Sequence, residues 1–131
     1  MTIGNTVVTF SQPTARLVPE SQASQVAAEP NISVKPLSSG LVCNYEVCMA
    51  LFGSGLKVEP WIMSTNLAPY SCTNGKFWWQ GEQFTHSATK CTGDDPAVFE
   101  TRIATITFGG DGTACNTAED ILGKPCAGVH S

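Results

Sequence analysis

The chain is 131 residues long, 42% hydrophobic and only 14% charged, with a formal net charge of −4 at pH 7. That length favours a single domain able to bury roughly two-thirds of its unfolded surface without a metal. Lysine and arginine are scattered singly, which leaves no phosphate-tracking footprint and argues against nucleic acid, and no apolar run approaches the ~20 residues of a membrane span.

Met1 to Phe10 has no basic start, no long apolar centre and no small-residue cleavage site, so an exported protein would have this sequence as its mature form. Ile3, Thr6, Val7, Val8, Thr9 and Phe10 have the β-branched and aromatic content of a strand, and residues 1–12 are predicted as an N-terminal edge strand. From Pro13 to Gly40 the composition shifts to Ser, Gln, Ala, Glu and recurrent Pro, which reads as a linker or crossing segment. Pro19-Glu20-Ser21 resembles the start of a short helix over Ser21 to Ala28. Asn31-Ile32-Ser33 fits the glycosylation acceptor pattern, which matters only on a eukaryotic secretory route. Residues 41–131 then form the body of the one domain.

Leu41 to Phe52 is predicted as one inner strand, with Leu41, Cys43, Tyr45, Val47, Met49 and Leu51 on one face and Asn44 and Glu46 on the other. Gly53-Ser54-Gly55 turns the chain. Leu56 to Met63 alternates weakly, with Val58 and Trp61 or Ile62 as core candidates. Asn66, Pro69 and Asn74-Gly75 punctuate the next stretch, and Phe77 to Trp79 and Phe84 to Ala88 form a hairpin around Gln80-Gly81-Glu82. Val98 to Phe108 is the last long strand; Val98, Ala104, Ile106 and Phe108 face inward while Glu100 and Arg102 break the pattern. Gly109-Gly110-Asp111-Gly112 ends it. Beyond lies one predicted helical turn, with Asn116 or Thr117 as N-cap, Glu119 and Asp120 in the first turn, Gly123 as the stop and Pro125 after it. Short strands separated by glycine and proline turns give an all-β class, a small antiparallel β-sandwich that is Ig-like or a partly open barrel.

The 6 cysteines are Cys43, Cys48, Cys72, Cys91, Cys115 and Cys126. An even count in a short, weakly charged chain fits an oxidising compartment, hence a secreted, extracellular protein. No Cys-x2-Cys occurs, and His86 and His130 stand alone, which removes a structural zinc site, a thioredoxin-like motif and a c-type haem site. Cys72 with Cys91 brackets the hairpin and Cys115 with Cys126 a compact segment; these pairs are expected to be disulfides, leaving Cys43 with Cys48. On one straight strand those two would lie on opposite faces and ~16 Å apart, so they need a turn or bulge, or else distant partners. Other connectivities remain open at this stage.

No catalytic residue, metal or cofactor is assigned. The histidines match no nucleophile-base motif, and Glu82, Asp94, Asp95, Glu100 and Asp111 offer carboxylates for sugar hydrolysis or calcium without the spacing of a known site. The aromatic cluster carries more. Adjacent Trp78 and Trp79 on a strand must point to opposite faces, so one fills the core and the other meets solvent or a partner beside Gln80, Glu82 and Gln83. The candidate ligand-binding residues are Trp78, Trp79, Tyr70, Trp61 and Gln80. The expected function is a secreted, non-enzymatic binding module for an extracellular glycan or protein. One rival is an effector or protease-inhibitor-like protein presenting a disulfide-rigidified loop within Gly109 to Cys126; the other is a small extracellular hydrolase using His86 and an acidic loop residue.

Overall fold

The computed structural model describes residues 6–19 and 41–131, and every regular element among them is a strand. The spine of the larger sheet is β5 (Lys57–Leu67), apolar on its inward side through Trp61, Met63 and Leu67. On one side it pairs antiparallel with β4 (Val47–Ser54), which pairs with β3 (Leu41–Asn44). On the other side it pairs with β10 (Ala97–Ile103) and β11 (Ile106–Phe108), laid end to end. Beyond these, β2 (Thr14–Pro19) lies against β10 and β1 (Val7–Phe10) against β11.

The smaller sheet has the order β13 (Cys126–Val129), β12 (Gly112–Ala118), β7 (Gly75–Trp79), β8 (Glu82–His86). A two-stranded ribbon, β6 (Cys72–Thr73) with β9 (Lys90–Cys91), links the two layers in sequence. The inward side chains of both sheets meet in one core. Val47, Met49, Leu51, Phe99, Ile103, Ile106 and Phe108 face Phe77, Trp79, Ala114 and Ala118 across it. The result is an all-β, sandwich-like fold of antiparallel sheets, as composition and turn spacing predict. Gly75 marks a close approach of the layers: a Cβ there would stand 2.5 Å from Thr101 Cγ2 and 2.7 Å from Met63 Cε. One polar link crosses the core, where Trp61 Nε1 donates to Asn116 Oδ1 at 2.9 Å. Asn116 Nδ2 in turn donates to the Cys48 carbonyl at 3.4 Å.

All three expected disulfides are present: Cys43–Cys48, Cys72–Cys91 and Cys115–Cys126. Each joins residues directly opposite one another in an antiparallel pair. The first of them corrects the predicted strand Leu41 to Phe52. A two-residue turn at Tyr45-Glu46 folds that stretch into the β3–β4 hairpin, which turns Cys43 and Cys48 into cross-strand neighbours. Tyr45 therefore sits on a turn and not on an inner face.

Three further expectations are corrected. Val98 to Phe108 is interrupted between Ile103 and Ile106, and Glu100 does not break the burial pattern, because the strand is covered on both faces: Phe99, Glu100 and Thr101 are all buried. Glu100 lies on the outer face with Arg16 Nε at 2.5 Å and Arg102 at 3.3 Å, so its charge is paired where it is buried. Thr14–Pro19, read as part of the crossing segment, is β2, in register with β10 from Val18↔Val98 to Thr14↔Arg102. Residues 20–40, with the expected helix over Ser21 to Ala28 and the Asn31-Ile32-Ser33 acceptor, lie outside the described residues.

The predicted C-terminal helical turn is not formed. Asn116 and Thr117 belong to β12, and the chain reverses through a turn closed by an Ala118↔Ile121 bridge. The helix-start chemistry is spent elsewhere: the Asn116 side chain holds Trp61 and its N–H donates to the Pro125 carbonyl at 3.2 Å. Gly123 has φ +136°, and a Cβ there would collide with the Asn44 carbonyl oxygen, so this glycine lets the loop lie against the β3–β4 hairpin.

Candidate functional site

Several loops converge at one end of the sandwich. The ladder pairs Val47 with Thr65 and Ala97 with Leu67, which brings the β3–β4 turn, the loop after β5 and the loop before β10 to the same edge. The smaller sheet contributes the loop between β12 and β13, since Ala118 pairs with Gly75 at this end. Hydrogen bonds join these loops to one another. Glu46 N–H donates to the Leu122 carbonyl at 3.1 Å, and Lys124 N–H to Asn44 Oδ1 at 2.8 Å. Thr73 Oγ1 donates to the Glu119 carbonyl at 2.9 Å.

The loop after β5 is pinned separately. Tyr70 N–H donates to the Gly93 carbonyl at 2.9 Å, and Thr92 Oγ1 donates to the Ala68 carbonyl at 2.5 Å while accepting from Ser71 N–H at 3.0 Å. Three large side chains project from this framework into solvent: Tyr45 is 75% exposed, Tyr70 74% and Leu122 64%. Both tyrosines occupy the left-handed backbone region, with φ of 55° and 53°. That region is uncommon for a bulky L residue, and turns that need it usually recruit Gly, Asn or Asp.

The residues singled out from sequence do not form one site. Trp61 is fully buried and meets Phe77 edge-to-face at 4.9 Å. Trp79 is buried too, stacked on Phe108 with ring centroids 3.9 Å apart. Neither ring reaches solvent. Trp78 lies on the outer face of the smaller sheet, half-buried, opposite Cys115 and Gln83. Its Nε1 donates to Thr117 Oγ1 at 3.0 Å, and Lys124 Nζ stands 4.2 Å from the ring centroid, a cation–π contact that covers the ring. Gln80 turns the β7–β8 hairpin at the opposite end, with Oε1 accepting from Thr113 N–H at 2.7 Å. Tyr70 alone belongs to the loop end. Tyr45 and Leu122 were missed; the signal for Tyr45 was the Cys43-to-Cys48 spacing, which needs a turn at just that place, and a lone Leu in a polar loop gave none.

The groups weighed for chemistry are dispersed. His86 is exposed opposite Lys76, its Nδ1 3.1 Å from the Ser87 carbonyl, and Asp111 accepts from Ser131 N–H at 3.0 Å. Asp94 and Asp95 are exposed in the β9–β10 loop, and no group of three or more metal-ligating side chains occurs among the described residues. No protein-family model, curated protein or solved structure matches the chain. The class is therefore defined by the fold itself, a disulfide-stapled, sandwich-like fold of antiparallel sheets with Tyr45, Tyr70 and Leu122 exposed at its loop end.

Proposed function

We propose that this is an extracellular, non-enzymatic binding module that engages a protein partner through the loop end carrying Tyr45, Tyr70 and Leu122. The observation that carries the reading is the conformation of the two tyrosines. A left-handed backbone costs an L residue roughly 1–2 kcal/mol, and burial does not recover it at side chains three-quarters exposed. Folding alone would favour Asn or Gly at both positions. Tyrosine, however, is the residue that supplies large contact area at low conformational cost, and loops grouped at one end of a sandwich are where such modules present it. The disulfides and the hydrogen bonds between loops limit the ordering cost of binding. Three disulfides also fit an oxidising, extracellular setting.

A sugar ligand on the outer face of the smaller sheet is the second reading, favoured by Trp78 with Thr117 and Gln83 beside it. A sugar stacking there must first displace Lys124 from the ring.

Panning a random peptide library and probing a glycan array with the full chain separates the two. Peptide binders should be retained that are lost on the Tyr45→Asn/Tyr70→Asn/Leu122→Ser variant, while that variant keeps wild-type thermal stability. Glycan binding abolished by Trp78→Ala, with no peptide sensitive to the loop variant, would move the site to the sheet face.

A further inference from the structure

Beside the Tyr70 loop, between the end of β2 and the loop that leads into β10, lies a groove of about 490 Å³. Leu17, Pro19, Pro96 and Ala97 give it an apolar side, Cys91, Thr92 and Gly93 complete the wall, and Asp95 supplies a carboxylate to the same lining. No lysine or arginine lines it among the described residues, and Asp95 takes part in none of the ion pairs found there. Resting on the reading that the loop end binds a protein, we propose that this groove is the subsite for one lysine or arginine side chain of that partner.

The stem would run along Leu17, Pro96 and Ala97 and the charged head would meet Asp95. Long basic side chains are the ones that bury an aliphatic stem while holding a charge at the rim, and a charge-assisted hydrogen bond to carboxylate is among the stronger polar contacts. An apolar occupant would make no use of the exposed Asp95 carboxylate. An acidic one would be repelled, since Asp94 adjoins Asp95 and the chain carries a net charge of −4.

The protein contains its own counterexample. A second groove, of about 430 Å³, is lined by Thr14, Ala15, Arg16, Glu100 and Arg102, and there the carboxylate is already held by two guanidinium groups of the same chain. Among the described residues Asp95 has no such partner. The Tyr70 N–H, which donates to the Gly93 carbonyl at 2.9 Å, ties the backbone of the Tyr70 loop to the groove wall.

The test pans one random peptide library on the full-length wild type and on Asp95→Asn, an isosteric change at an exposed position whose folding is checked by thermal melting. Peptides enriched on the wild type should carry Lys or Arg at a fixed position. Their affinity should fall about tenfold on Asp95→Asn, and by the same factor when norleucine replaces that residue, with no further loss when both changes are combined. A selection that yields no Lys- or Arg-bearing peptide sensitive to Asp95→Asn overturns the subsite. Peptides that need Tyr45, Tyr70 and Leu122 yet ignore Asp95 overturn it while leaving the loop end as the binding surface; Asp95-dependent peptides that ignore those three side chains support the groove and overturn the wider surface.

Discussion

Replacing Trp78 and Trp79 by alanine, one at a time, should give two very different proteins. Trp79 is 5% exposed, stacks on Phe108 and stands against Gly112, where a Cβ would lie 2.5 Å from its ring. Truncation opens a cavity between tightly packed sheets that cannot collapse, and core Trp→Ala changes cost about 3–5 kcal/mol. Trp78 is held on the outer face by a hydrogen bond to Thr117 and by the Lys124 ammonium. These two contacts contribute about 2 kcal/mol together, and their removal leaves a dent open to water with no cavity term. Unfolding entropy of about 2.1 cal/mol/K per residue over 131 residues is about 0.28 kcal/mol/K. Thermal melting under non-reducing conditions should then drop by about 14 °C for Trp79→Ala and about 7 °C for Trp78→Ala. Trp79→Phe, which keeps a ring on Phe108, should recover more than half of the larger loss. Equal losses for the two alanine variants would refute the assignment of faces, because both derive from the same register with β12.

Asn116→Ala should cost about 2–3 kcal/mol in urea unfolding, since it strands the buried Trp61 N–H. In a Trp61→Phe background the same change should cost at least 1 kcal/mol less, and additive losses would mean that the hydrogen bond does not bridge the sheets in solution. Replacing each cysteine pair by alanine should destabilise in the order of the loops closed, with sequence separations of 19 for Cys72–Cys91, 11 for Cys115–Cys126 and 5 for Cys43–Cys48. Chain-entropy estimates are about 3.2, 2.8 and 2.1 kcal/mol; an inverted order in the urea midpoints would place the disulfide effect in the folded state instead.

What was legible in the sequence was whatever a local signal dictates. The β7–β8 hairpin is readable from the turn at Gln80-Gly81, whereas Asn74-Gly75 forms no turn and Gly75 opens β7; the Cys72–Cys91 staple follows from the bracketing cysteines. The opposed faces of Trp78 and Trp79 follow from strand geometry, but which ring is buried depends on the layer packed against β7, which lies far away in sequence. The β3–β4 turn was hidden because Tyr45 continues an apolar alternation and offers none of the turn chemistry that its φ requires. The false helix arose for the opposite reason: Asn116 is a good N-cap by type, and only the long-range bond to Trp61 reveals its use in a strand. β2 escaped notice because its pairing partner, β10, is remote and the flanking prolines read as linker. The loop end was legible only at Tyr70, since Tyr45 and Leu122 are brought to it by ladder register and by hydrogen bonds between loops remote in sequence.

The placement of the disulfides bears on that loop end. Core strands in a chain of this length are held by their own ladders and by buried apolar surface, and the three staples act in addition to these. Each staple lies next to one exposed side chain. Tyr45 is inside the Cys43–Cys48 hairpin, Leu122 inside the Cys115–Cys126 loop, and Tyr70 is separated by Ser71 alone from the ribbon closed by Cys72–Cys91. Left to themselves, loops with few buried contacts open more readily than core strands do, and an exposed aromatic at a left-handed turn would be the first conformation lost. Cross-links at these places restrict the segments that the core holds least and fix tyrosines in a conformation that local propensity disfavours. The cross-links thus add their stability where packing is weakest, at the loops that carry the exposed side chains.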